Sequence, residues 1–203
     1  EDMAASFKDQ FVGKEKYGAP SLTVVFEMAM RAVIERDLKE NERKQLAYAL
    51  RISLVSKVEK QAFIDGVTRF CKYCTDIELY YDVPSLWSTI AEMLMNTMHA
   101  DHEVIDKAKE KSATNNIETI ALKEMEPAFM AAKTEGKKKY DLFVQLMKQW
   151  TDVELAEHSC VDALSWEFDE LPFKEAMIKD GLRSEMEAVT TNNGSTLAAL
   201  LLK

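Results

Sequence analysis

An all-α fold, built from antiparallel helix pairs stacked side by side, is what the chain predicts, and three observations predict it. Apolar residues recur at three- and four-residue spacing in one run after another. Eleven Met with abundant Leu, Ala, Glu and Lys favour helix, and six Gly with four Pro are few for a turn-rich fold. No stretch alternates apolar and polar residues long enough to make a strand. Short turns between the runs are the anatomy of a helical-hairpin solenoid with degenerate repeats. No linker composition interrupts the chain, so residues 1–203 are expected to form one body.

Asp2 to Lys16 reads as a short helix ridged by Met3, Phe7 and Phe11, and Gly18 to Ser21 as a turn. From Ser21 to Asp37 the spacing places Leu22, Val25, Phe26, Ala29 and Val33 on one face. Asn41 is a candidate cap for the next helix, whose apolar row is Leu46, Leu50 and Leu54. Ser56 and Glu59 match a capping box that opens a helix through Phe63, Val67, Phe70 and Cys74. An acidic, tyrosine-bearing turn from Glu78 to Asp82 follows. Pro84 then suits a first helical position, where its missing N–H would have had no partner. Trp87, Ile90, Ala91, Leu94 and Met98 mark that helix as buried on one face.

Beyond it, His99 to Asn116 is polar. Ile117, Ile120 and Ala121 are expected to begin a helix that Pro127 interrupts. Gly136 to Lys139 reads as a loop, and Tyr140, Phe143, Val144 and Met147 as a helical face. Thr151 and Glu154 repeat the capping-box spacing, Leu164 to Phe173 forms a bulky anchor, and Gly194 to Lys203 ends in a Leu-rich helix.

The formal charge of −9, from 35 acidic and 26 basic residues, repels phosphate backbones and suits a basic protein partner. Three Cys, an odd number without a framework, point to reduced thiols and a cytoplasmic setting. No signal peptide or membrane-spanning run is found, and an opening at Glu1 suggests a piece of a longer protein.

Few residues offer chemistry. Cys71 and Cys74 form a C-x-x-C without the second pair a zinc site needs, and read as buried thiols on a helix. His99 and His102 lack a third ligand fixed by spacing, and His158 with Ser159 completes no triad. Lys137 to Lys139 is too short a basic run for a nucleic-acid patch. Without a nucleophile, a paired base or a phosphate cradle, neither an enzyme nor a cofactor is indicated. The acidic turn itself reads two ways: as ordinary exposed acids near a helix start, or as a rigid acidic corner for a basic partner.

Pro20-Ser21-Leu22, then Phe63 to Val67, then the acidic turn running into Asp82-Val83-Pro84 and Leu86-Trp87, together resemble the MA-3 domain. This is the middle helical domain in the C-terminal part of eukaryotic translation initiation factor 4 gamma. The resemblance is clearest over residues 20–96, with a later echo at Leu164 to Trp166 and Leu171-Pro172; residues 117–203 would be extra C-terminal helices. It implies a HEAT-like stack and a scaffold module that docks the DEAD-box RNA helicase initiation factor 4A. An inhibitor that competes for the same helicase is the alternative. By that resemblance Glu78 and Asp82 contact the helicase, with Asp76 and Tyr81 beside them as further partner-binding residues. Tyr81 stands where the family usually has an aliphatic residue. RNA would be met only indirectly, no membrane is involved, and the module would be monomeric.

Overall fold

The computed structural model describes residues 21–98 and 117–133, together with 141–143, 145, 146 and 149. About four fifths of these are helical and none is in a strand. The expected elements at 2–16, 99–116, 134–140 and 151–203, with the candidate residues they carry, lie outside the described residues.

Helix α1, Leu22–Glu35, buries Val25, Phe26, Met30 and Val33. It ends in a Schellman motif. The Asp37 N–H donates to Ile34 (3.2 Å) and the Leu38 N–H to Val33 (3.2 Å), with Asp37 left-handed at φ 47°. Helix α2, Glu40–Ser53, starts earlier than Asn41 predicts. Lys39 occupies the cap position, and the Glu42 carboxylate accepts its N–H at 2.8 Å. Asn41 therefore falls inside the first turn, because a side chain three residues on reaches the free donor first.

Helix α3, Lys57–Asp76, begins at Ser56 as its sequence predicts. The Ser56 hydroxyl accepts the Val58 N–H at 3.2 Å and donates to the Glu59 carboxylate. A single-turn helix α4, Leu79–Asp82, follows, and then α5, Leu86–Met98. Pro84 does not open α5 as expected. It sits in the turn ahead of it, and helical bonding starts where Ser85 C=O accepts the Thr89 N–H (2.9 Å). Helix α5 is buried on one broad face, which encloses Leu86, Met93, Met95 and Thr97 along with the expected Trp87, Ile90, Ala91 and Leu94, and Ser88, Thr89, Glu92 and Asn96 form the half-exposed polar stripe opposite.

Residues 117–121 are not helical, and Ala121 has extended backbone at φ −77° and ψ 146°. Leu122–Met125 makes a 3-10 turn, and α6, Glu126–Ala131, follows with Pro127 in its first turn. Pro127 thus starts a helix instead of breaking one, since its lost donor is redundant there.

The main helix contacts join α1 to α3, α3 to α6, and α2 to α5. Phe26 meets Phe63 edge-on with centroids 5.5 Å apart, at the place where Gly66 lets α1 and α3 approach closely. Phe129 of α6 stacks obliquely on Phe143 at 5.3 Å. One continuous apolar core contains all of these rings.

The segment 117–133 is strapped along α3. At one end the Glu118 N–H donates to Leu54 C=O (2.7 Å), and Arg51 Nη1 donates to Glu118 C=O. Lys60 Nζ donates to the Glu124 carboxylate (2.7 Å) and to Thr119 C=O (3.3 Å). At the other end Thr75 Oγ1 donates to Ala131 C=O (2.7 Å) and accepts the Lys133 N–H (3.0 Å).

Candidate functional site

The corner between α3 and α5 is set by backbone bonding on both sides. The Ile77 N–H donates to Tyr73 (3.1 Å) and the Glu78 N–H to Thr75 (3.1 Å), closing α3. Glu78 is left-handed, at φ 55° and ψ 34°. It occupies the position after a helix end where glycine is the usual residue. The Tyr81 N–H then donates to Glu78 (3.0 Å), the Val83 N–H to Leu79 (2.9 Å) and the Leu86 N–H to Val83 (2.9 Å). Five backbone N–H groups between Ile77 and Leu86 are bonded in this way, so the main chain that carries the corner's side chains is held in place.

Those side chains divide sharply. Leu79, Tyr80 and Val83 pack against the core, whereas Asp76, Ile77, Glu78, Tyr81 and Asp82 are exposed. Ile77 is 49% exposed and Tyr81 61%, high values for large apolar residues. The Tyr80 and Tyr81 rings lie 4.7 Å apart at 48°. Asp76 is bridged on its own helix by Lys72 at 2.8 Å, an exposed pair of little energetic weight. Neither Glu78 nor Asp82 pairs with a described cation. The four residues singled out from the sequence therefore share one corner, with Ile77 as a member that the sequence reading passed over. Its signal was a lone Ile between two acids at a helix end.

A groove of about 350 Å³ starts one residue beyond Asp82, at Val83. It runs between the α1–α2 turn and the first turns of α5. Arg43 spans its wall, with Nε and Nη2 forked on the Glu92 carboxylate (2.7–3.1 Å) and Nη1 on Leu38 C=O (2.7 Å). Bidentate pairing of this kind fixes both position and orientation.

The thiols of Cys71 and Cys74 are enclosed in the core. Burial pushes Cys71 well above the ordinary thiol range, reinforced by Cys74, and pushes Cys74 up to about 12 against the opposing charge of Arg31. Both therefore hold their protons and pack as small apolar groups. Among the described residues no three His, Cys, Asp or Glu side chains gather as metal ligands, and no helix is long and apolar enough to cross a membrane.

Arg51 is a buried cation that the sequence reading did not single out. It is 4% exposed, burial lowers its pKa, and the Glu118 carboxylate partly restores it. Its signal was position: Ala47, Leu50, Arg51 and Leu54 are one buried row, interrupted by a charge. Its work is to hold the strap.

A scan against protein-family models, a search of curated proteins and a search of solved structures each match nothing to this chain.

Proposed function

We propose that the chain is a docking module of a translation-initiation scaffold. On this reading it holds the DEAD-box RNA helicase initiation factor 4A and tunes its activity in cap-dependent initiation, with Glu78 and Asp82 as the chief contacts and Asp76 and Tyr81 flanking them. The partner's identity comes from the resemblance of residues 20–96 to the MA-3 domain. The observation that carries the reading is Glu78 itself: an exposed acid kept in left-handed backbone, where glycine would cost less. Carboxylates on a stiff corner can accept charge-assisted hydrogen bonds from a basic partner. The exposed Ile77 and Tyr81 add apolar area of the kind that anchors protein interfaces.

The contacts between alternate helices support a HEAT-like stack, with α1, α3 and α6 in one row and α2 and α5 in the other. A net charge of −9 favours a basic protein over RNA, so RNA enters only through the helicase. The module acts without catalysis or cofactor, as a monomeric cytoplasmic unit.

The test is capture of purified helicase by the wild-type chain and by a Glu78→Lys/Asp82→Lys variant that retains its melting transition. Loss of binding is expected, since truncating one partner of a desolvated charge pair costs about 2–5 kcal/mol. Retained affinity in the folded variant removes the proposal. An unwinding assay then separates roles: stimulation within the scaffold fits this reading, and displacement of the scaffold fits a competing inhibitor.

A further inference from the structure

We infer, resting on the reading that the corner holds the helicase, that the adjoining groove receives one basic side chain of the same partner. The contact would then extend from Glu78 and Asp82 across to Asp37. The groove has room for a long side chain, at about 350 Å³, and it is continuous in sequence with the corner through Val83. Leu38 and Val83 offer apolar walls to an aliphatic stem. Ser85, Ser88 and Thr89 also line it, and their oxygens can accept from an ammonium or guanidinium head.

Charge decides the occupant. Among the described residues three ionisable side chains line the groove: Asp37, Arg43 and Glu92. Arg43 and Glu92 neutralise each other through their forked pair, so the remaining charge belongs to Asp37. No described cation bridges to Asp37. An anionic visitor would meet that carboxylate without compensation, and an apolar one would bury it; a lysine or arginine satisfies it. Asp37 and Glu78 are also the only described non-glycine residues with left-handed backbone. Both occupy helix-end positions where glycine is common and both are exposed; Asp37 lines the groove together with Val83, the residue that follows Asp82.

The experiment is calorimetric titration of purified helicase into the 203-residue chain, its Asp37→Asn and Ser88→Arg variants, and the Glu78→Lys/Asp82→Lys variant. Asn tolerates left-handed backbone, so Asp37→Asn removes charge and little else. It is expected to bind roughly five- to tenfold more weakly, with a shallower dependence on salt. Ser88→Arg supplies a guanidinium from within and is expected to weaken binding at least as much. Should Ser88→Arg fail to fold, Asp37→Asn alone decides. Wild-type affinity in Asp37→Asn, with binding lost in the corner variant, overturns the groove and leaves the corner reading intact. No binding by the wild-type chain overturns both.

Discussion

Replacing Gly66 by alanine sets two effects of opposite sign against each other. Within a helix, Gly→Ala gains about 1 kcal/mol of backbone propensity, and at an open site that would raise stability. Gly66 is not open. A Cβ there would lie 2.7 Å from Thr23 C=O, 2.8 Å from Phe26 Cβ and 3.0 Å from Glu27 N. Two of those atoms are main chain and the third is the root of a buried ring, so no side chain can swing aside. Helix α1 must lift from α3, loosening the edge-on contact of Phe26 with Phe63. Overpacking of this kind costs about 1–3 kcal/mol, and the loss of ring contact adds about 0.5–1.5 kcal/mol. The cost exceeds the gain. Gly66→Ala is expected to lower stability by about 0.5–3.5 kcal/mol, seen as a melting temperature lower by about 1–14 °C. Urea titration with the exposed-site control Asp65→Ala, expected to stay within about 0.5 kcal/mol, provides the measurement. If Gly66→Ala proves as stable as the wild type or more so, the close approach of α1 and α3 is refuted.

The remaining expectations concern the corner and the strap. Glu78→Gly should raise stability by up to about 1 kcal/mol, because glycine relieves the left-handed strain, while weakening helicase binding; a fall in melting temperature contradicts this. Thr75→Val removes the hydroxyl shared by Ala131 and Lys133 and should cost about 1–2 kcal/mol in urea titration, with hydrogen exchange quickening at Lys133. Burial alone would raise the Glu124 pKa, but the hydrogen bonds from Lys60 and the Ala121 N–H, with the charges of Lys60 and Lys123, bring it below its ordinary 4.5. Its stabilisation is therefore present above pH 4.5 and lost as pH falls through the lower folded value. Glu124→Gln should be less stable than wild type at neutral pH, and the two melting curves should converge in acid. A gap that persists in acid would rule out the Lys60 pair as its source.

Periodicity made α1, α2, α3 and α5 legible, and Ser56 marked the start of α3, because these signals act within a few residues. The misreadings arose where a local rule had a tertiary competitor. Ile117 and Ile120 have helical spacing, yet Arg51, Leu54 and Lys60 bond the backbone of Glu118 and Thr119 between them, and the segment forms no helix. Asn41 lost the cap to Glu42, which sits three residues after Lys39. For the site, the four-residue separation of Glu78 and Asp82 was readable, but the left-handed backbone of Glu78 was not, since glycine is what announces such a position. The groove was invisible for a plainer reason: it joins residue 37 to residues 83–92, and no short-range pattern links them.

The strap bears on how small a working piece can be cut from this protein. Its clasps, at Lys60 and at Thr75, stand about 22 Å apart on α3, so it shields much of one side of the longest helix described. The stretch on which the proposed docking role rests closes near Asn96, before a single strap residue has been made. A fragment trimmed to that stretch would bare the apolar surface that Met125, Ala128 and Phe129 cover, and would aggregate instead of docking. The smallest autonomous unit is thus longer than residues 20–96, and it has to carry residues 117–133 at least.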